Sequence, residues 1–463
     1  MFRGIFAASA AFALSSAAIP AAETPSPPRP NIITIVGDDI GWGDVGFHGS
    51  LIKTPNIDRL AAGGARLDRF YVNPICSLTR VSFLTGQFAA RTGVNNHAGL
   101  PLDYRIFPAD FRAAGYQTWM CGKWHLGGSA ENTMTGHEYH PDARGFDHFY
   151  GLLGGAVDYS THINWESGVL DWWRNGVQVA EKGYSTDLLA SEAIDLIKAR
   201  DTNKPFLLHL AFNAAHGPLR APDGASGGGN RPALYQAVVE AMDAAIGRVL
   251  ATLDEQKITD SSLVLFFCDN GAQEDQGGSN APLRGAKGGA YEGGVRSAAV
   301  LRYPGMIRAG SEFGGWMWVG DVWPTLAAAA GIAPQPAKPL DGVNMWPALI
   351  AADAVQRAPF VVGSRSMAWF EPPWKLIVTP DAPAELYNLN DDPSENRDVA
   401  TASADRVARM TADLKNSLGT WRGMGGGGRG GRGQGGQGGR RKQHPPPGAI
   451  VPAAPTSSPS IHE

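Results

Sequence analysis

The chain has 463 residues, with 40 Lys and Arg against 44 Asp and Glu, a formal net charge of −4. That length suits one large α/β domain and a smaller unit, since single cores stop growing near ~250–300 residues. The charge balance excludes a general nucleic-acid footprint, so any anion preference must be local, and the odd count of three cysteines excludes a complete disulfide framework.

In chain order, Arg3 precedes an apolar run from Ile5 to Leu14 and the small residues Ser15 to Ala18, the order of a cleaved signal peptide over residues 1–22. The run is shorter than the ~20 apolar residues a bilayer span needs, and no later stretch qualifies. Export to a periplasm or the extracellular space, without a membrane span, is therefore expected. Asn31 to Val36 then forms an apolar run that breaks into Asp38-Asp39. Phe206 to Phe212 runs towards His216, and Leu263 to Cys268 runs into Asp269-Asn270. Near-continuous apolar strands suit a parallel sheet covered on both faces. Between them, Leu188, Leu189, Ile194 and Ile197 share one helical face, as do Val238, Met242, Ile246, Val249 and Leu253.

The expected fold is α/β: a doubly wound, mostly parallel sheet with helices on both faces across a large domain of residues 23–352. After that the pattern shortens to Phe360–Val362, Trp374–Val378 and Glu385–Leu389 with a helix near Asp405–Leu418, which predicts a small antiparallel sheet with a packed helix over 353–421. Residues 422–463 are rich in Gly, Arg and Pro and read as a disordered tail.

In open α/β sheets ligands bind beyond the carboxyl ends of the strands, where the polar residues named above should converge. Asp38, Asp39, Asp269 and Asn270 offer the hard oxygen ligands that Ca²⁺ or Mg²⁺ prefers, although single acidic pairs also serve as caps and turns. Lys123 and His125, two apart in Gly122-Lys123-Trp124-His125-Leu126-Gly127, turn to one side if the backbone is extended. Taken singly, Lys123 and Lys287 read equally as surface charges, and His125 and His216 as loop histidines. Together with a divalent cation and Arg80 they would suit an anionic ester, with the histidines as acid and base. Cys121 and Cys268 lie in apolar runs and read as core residues. Cys76 stands four residues before Arg80, one helical turn away, and spacing leaves it open as a thiolate, a modified residue or an inert core thiol.

These motifs resemble those of the formylglycine-dependent sulfatases, especially the arylsulfatase and N-acetylgalactosamine-sulfatase branch of the alkaline phosphatase superfamily. The resemblance runs from about Pro30 to Val399 and includes Asp38-Asp39, Thr54-Pro55-Asn56-Ile57-Asp58, the Cys76 to Gly86 signature, Gly122 to Gly127, Asp269-Asn270-Gly271, Leu283 to Arg296 and Glu385 to Leu389. It implies one Ca²⁺ held by Asp38, Asp39, Asp269, Asn270 and the modified residue at Cys76. It also implies that Arg80, Lys123, His125, His216 and Lys287 are catalytic or sulfate-binding, and that a formylglycine-generating enzyme oxidises Cys76. In such a site one hydroxyl of the hydrated aldehyde attacks sulfur, His216 and Lys287 assist the departing alcohol, and His125 takes a proton from the second hydroxyl to release sulfate. The family usually has Pro, less often Ala, where this chain has Leu78, a position that belongs to the signal read by the modifying enzyme. A sulfated carbohydrate is the expected substrate, with aryl sulfates also cleaved. Trp165, Trp172, Trp173 and Trp369 are candidates to line a sugar cleft, packing being the plain alternative. A phosphodiesterase or phosphonate hydrolase of the same superfamily, or a non-catalytic binder of sulfated glycans, are the competing readings.

Overall fold

The structure, a computed structural model, describes residues 1, 29–94, 99–127, 136–226, 231–353 and 357–419. Residues 2–22 of the expected signal peptide and the expected tail at 422–463 lie outside the described residues.

The main sheet is built from β1 (Asn31–Gly37), β2 (Ala65–Tyr71), β3 (Gln117–Lys123), β4 (His148–Leu152), the short β5 (Trp173–Arg174) and β6 (Val177–Gln178), β7 (Phe206–Ala211), β8 (Ser262–Cys268), β9 (Arg296–Ser297), β10 (Ala299–Arg302) and β11 (Ser311–Trp318). Their order is β11-β2-β10-β8-β1-β7-β3-β4-β5-β6, with β9 paired to β2. The central strands β8, β1, β7, β3 and β4 are parallel, while β10 runs antiparallel to both β8 and β2. The sheet is thus mixed at both sides, with β5 and β6 antiparallel beyond β4, but parallel where the apolar runs lie.

Side chains alternate across this sheet as the period of a strand dictates. Ile32 and Val36 of β1, Leu207 and Ala211 of β7, and Leu263, Leu265 and Phe267 of β8 pack on one face with helix α2 (Cys76–Thr85). Ile33, Ile35, Leu208, Leu210, Val264 and Phe266 pack on the other, against α1 (Pro55–Ala62), α3 (Ser185–Ala199) and α4 (Arg231–Glu255). All five apolar residues expected on one face of α4, from Val238 to Leu253, are buried. In α3, Leu189 and Ile197 are buried while Leu188 and Ile194 are only partly covered.

A second sheet of β12 (Phe360–Gly363), β13 (Met367–Glu371), β14 (Trp374–Val378) and β15 (Glu385–Asn388) is antiparallel in that order. Strand β13 was not among the expected extended pieces. Helix α5 (Ala404–Leu418) covers this sheet with Met410, Leu414 and Leu418. Phe370 joins the two sheets, stacking on Phe360 at 4.6 Å and tilting against Tyr71 of β2 at 4.5 Å. Beneath them Lys375 is fully buried between Glu292 (2.9 Å) and Glu395 (2.8 Å), and Tyr71 donates its hydroxyl proton to Glu292 at 2.9 Å.

Three of the four tryptophans named as sugar-cleft candidates belong to the core. Trp172 stacks on His162, Trp173 donates its indole N–H to Asp171, and Trp369 is 4% exposed. Only Trp165 is open to solvent. Among the described residues, no helix is long and apolar enough to cross a membrane.

Candidate active site

Register brings the strand ends together. Gly37 pairs with Cys268 and Val36 with Ala211, while Gly122 of β3 also pairs with Ala211. Asp38-Asp39, Lys123, Asp269-Asn270 and the segment leading to His216 therefore leave the sheet at one edge. The Asp38 N–H donates to Ala214 O at 2.8 Å, and the Ala215 N–H to Asp38 O at 2.6 Å, so the β1 exit carries the His216 loop beside it. Tyr159 fixes that loop from the far side, donating to the carbonyls of Asn213 (3.0 Å) and His216 (2.9 Å).

The side chains form an alternating cluster of charge. Lys123 Nζ donates to Asp38 Oδ2 at 2.6 Å, both groups being fully buried. Arg80, one turn into α2, donates to Asp269 Oδ2 at 2.7 Å and to the Lys123 carbonyl at 2.6 Å. It thereby ties α2 to the ends of both β8 and β3. Lys287 Nζ lies 2.6 Å from Asp39 Oδ1 and 2.7 Å from Oδ2, and Asn270 Nδ2 donates to Asp39 Oδ1 at 2.7 Å. Three carboxylates thus face three cations, an arrangement whose large desolvation cost is offset only by such close pairing. Lys287 and Arg80 also hold their protons. Burial alone would lower the Lys287 and Arg80 pKa values, but the carboxylates of Asp39 and Asp269 respectively overcome it and raise them.

Two oxygens remain unmatched. Asp38 Oδ1 and Asn270 Oδ1 are buried without a hydrogen-bond partner among the described residues, a costly state for either group. Asp38, Cys76 and Asp269 each place a ligand atom within 4.8 Å of the others, and Asp38, Asp39 and His216 do the same. Burial and the neighbouring Asp38 raise the Asp269 pKa, against the opposing charges of Arg80, Lys123 and Lys287.

Cys76 is the first residue of α2, 3% exposed, with Sγ 3.3 Å from His125 Nδ1. A helix N-terminus and nearby Lys123 favour a thiolate, yet burial outweighs them and pushes the thiol pKa up. An ordinary thiolate nucleophile is therefore disfavoured here. His125 and His216 are both held below the usual histidine range, burial being the largest cause and the cations around His125 adding to it. Each is neutral near pH 7. His216 Nδ1 is 2.6 Å from the Gly217 carbonyl, so Nδ1 carries the hydrogen and Nε2 faces Asp39 Oδ2 at 3.8 Å.

The backbone around His125 is not extended: His125 has φ 58°, in the left-handed region, as does Asp39. Such conformations in non-glycine residues cluster at functional sites. Lys123 and His125 still reach one pocket, but through this turn, with Trp124 fully buried between them. Sequence reasoning missed Tyr159 and also Gly155, where an added Cβ would come within 2.8 Å of His125 Nε2. Neither carries a local signal, because each acts on a residue distant in sequence.

Comparison with known proteins identifies the family and the fold. A family model described as Sulfatase matches residues 30–332. Arylsulfatase J of Mus musculus is 35% identical over 352 residues, 71% of this chain and 57% of that protein, so this chain spans little more than half of its length. N-acetylgalactosamine-6-sulfatase of Homo sapiens is 33% identical over 366 residues, 72% of this chain and 68% of the relative. Among solved structures, Ps i-CgsB in complex with k-i-k-neocarrahexaose aligns with TM-score 0.78 and 30% identity, covering 86% of this chain and 94% of that one. The phosphonate monoester hydrolase of Agrobacterium radiobacter aligns at TM-score 0.61 with 19% identity, covering 84% and 95% of the two chains, a likeness of fold alone.

Proposed function

The chain belongs to the sulfatase family of sulfuric ester hydrolases, and from that premise we propose that it cleaves the sulfate ester of a sulfated carbohydrate, and of aryl sulfates, with Cys76 as the source of the nucleophile. The observation that carries this reading is the pair of unmatched buried oxygens, Asp38 Oδ1 and Asn270 Oδ1, beside Cys76. Oxygen-only donors of this kind fit a hard cation such as Ca²⁺, which Asp38, Asp39, Asp269 and Asn270 would hold. Bound Ca²⁺ supplies Lewis acidity and positive charge, and formylglycine at position 76 supplies a hydrated aldehyde with two hydroxyls. The Sγ of the unmodified residue stands in for the aldehyde oxygen.

The chain's own residues then have separable tasks. Lys123 and Lys287 keep positive charge at the site and orient Asp38 and Asp39 towards it. Arg80 keeps Asp269 and the end of β3 in register with α2. His125, neutral and 3.3 Å from the position-76 side chain, is placed to take a proton at Nδ1. His216, with Nε2 3.8 Å from Asp39 Oδ2, would with Lys287 meet the departing alcohol oxygen. Lys287 is the permanently charged member of that pair. The proposed partners are the sulfate ester and, during maturation, a formylglycine-generating enzyme acting on the Cys76 to Gly86 signature. A signal peptide at residues 1–22 would route the protein to the periplasm or outside the cell.

Parallel steady-state kinetics on an aryl sulfate, an aryl phosphate and an aryl phosphonate ester test the reading. The sulfate ester should give the highest kcat/KM. Preference for phosphate or phosphonate would transfer the site to the phosphohydrolase reading, and glycan binding without turnover would make the protein a binder.

A further inference from the structure

We propose that His137, His140 and Asp142 form a transition-metal site of the Zn²⁺ class, separate from the Ca²⁺ position. The sequence His-x-x-His-x-Asp folds locally into a chelate. A 3₁₀ turn over His137–Tyr139 returns the chain so that the His140 N–H donates to the His137 carbonyl at 2.9 Å. Pro141 then opens a short helical turn that carries Asp142. The two imidazoles meet edge to face with ring centroids 5.1 Å apart, and one ligand atom from each of the three residues lies within 4.8 Å of the other two.

A second observation points to a missing ligand. His140 is 3% exposed and its Nδ1 has no hydrogen-bond partner among the described residues; Asp142 Oδ1 is likewise buried and unpartnered. Two of the three residues therefore carry unsatisfied polar atoms, a state that native structures seldom keep without an ion or water. His137 Nε2 and Asp142 Oδ2 are 2.7 Å apart, a contact that a metal bound by both would replace. Two imidazoles and one carboxylate with an open fourth position suit Zn²⁺, in contrast to the oxygen-rich cluster around Asp38.

The surroundings assign the ion a structural task. Gly176 passes so close that a Cβ there would lie 2.7 Å from His137 Nε2. The His140 ring packs edge-on against Trp173 at 5.2 Å. The carbonyl of Tyr139, between the two histidines, accepts the indole N–H of Trp124 at 2.9 Å, and Trp124 lies between Lys123 and His125. A metal here would fix the His137–Asp142 turn, whose Tyr139 carbonyl holds Trp124 between two residues of the active site.

The test is calorimetric titration of the Ca²⁺-loaded full chain with Zn²⁺, repeated with Co²⁺ and read by visible absorption. One saturable equivalent of Zn²⁺ is expected, with the absorption bands of four-coordinate Co²⁺. His137→Ala, at a side chain 58% exposed, and Asp142→Asn should each weaken binding at least tenfold while His137→Ala leaves aryl sulfate turnover in Ca²⁺ unchanged. Absence of saturable binding, equal Zn²⁺ affinity in the wild type and His137→Ala, or loss of the equivalent in Asp39→Asn but not in His137→Ala would each overturn the proposal.

Discussion

The charge cluster around Asp38 and the one around Lys375 are made of the same parts and end differently. At Lys375 the network closes: Glu292 Oε1 meets Lys375 and Oε2 meets Tyr71, while Glu395 Oε2 accepts the Glu292 N–H at 2.6 Å. Glu395 Oε1 meets Lys375 at 2.8 Å as an ion pair without hydrogen-bond alignment. All four carboxylate oxygens thus face a donor or cation. At the strand ends Asp38 Oδ1 and Asn270 Oδ1 have no hydrogen-bond partner among the described residues. A closed network joins two sheets; an open one waits for a ligand. Burial of charge by itself marks neither catalysis nor structure, and the unmatched atoms distinguish the two.

The largest effect that separates the networks should come from His125→Ala, which lowers kcat on aryl sulfate by about 10²–10⁴ while the urea midpoint stays near the wild type. An equal fall in stability would make His125 a structural residue instead. Lys375→Met should do the reverse. It leaves Glu292 and Glu395 buried without their cation and costs about 3–5 kcal/mol of folding free energy, while KM of the folded protein is unaltered.

The next effect concerns pH. Burial, opposed by Lys375 and reinforced by Glu292, pushes the Glu395 pKa up to about 7 from an ordinary value near 4.5. The folded state then binds the proton more tightly than the unfolded chain. The stabilisation is fully present below pH 4.5, declines as pH rises and is gone above about 7, amounting to at most ~3 kcal/mol. Urea unfolding of Glu395→Gln across that window should lack this decline, and an unchanged slope would remove Glu395 as its source. The smallest effect is ligand linkage. Ca²⁺ at about a hundred times its Kd should add ~2.7 kcal/mol of stability, a gain retained in Lys375→Met and lost in Asp38→Asn.

Much of the site was legible because apolar runs that end in carboxylates declare both the strand and its exit. Asn31–Gly37 and Ser262–Cys268 place Asp38, Asp39, Asp269 and Asn270 side by side through simple parallel pairing. The near-continuous apolar run of β1 likewise foretold helices on both faces. What escaped depended on contacts between distant segments. Gly155 over the His125 ring and Tyr159 behind His216 have no local pattern. The Met367–Glu371 strand was missed although Met367 to Phe370 is itself an apolar run. The tryptophans stayed open between packing and a sugar cleft for a related reason: an indole reads alike whether it stacks on sugar or, like Trp172, on His162. Lys375 carries no local sign of its burial between Glu292 and Glu395, which come from distant segments.

The central claim is that position 76 acts as a modified residue and not as a thiol, which its burial among carboxylates already disfavours. Mass spectrometry of the Phe70–Arg80 peptide from the active protein, expressed in its own host, tests this most directly. The account predicts formylglycine or its hydrate at Cys76, in proportion to turnover and despite Leu78. Full activity from protein that carries only the thiol would contradict it.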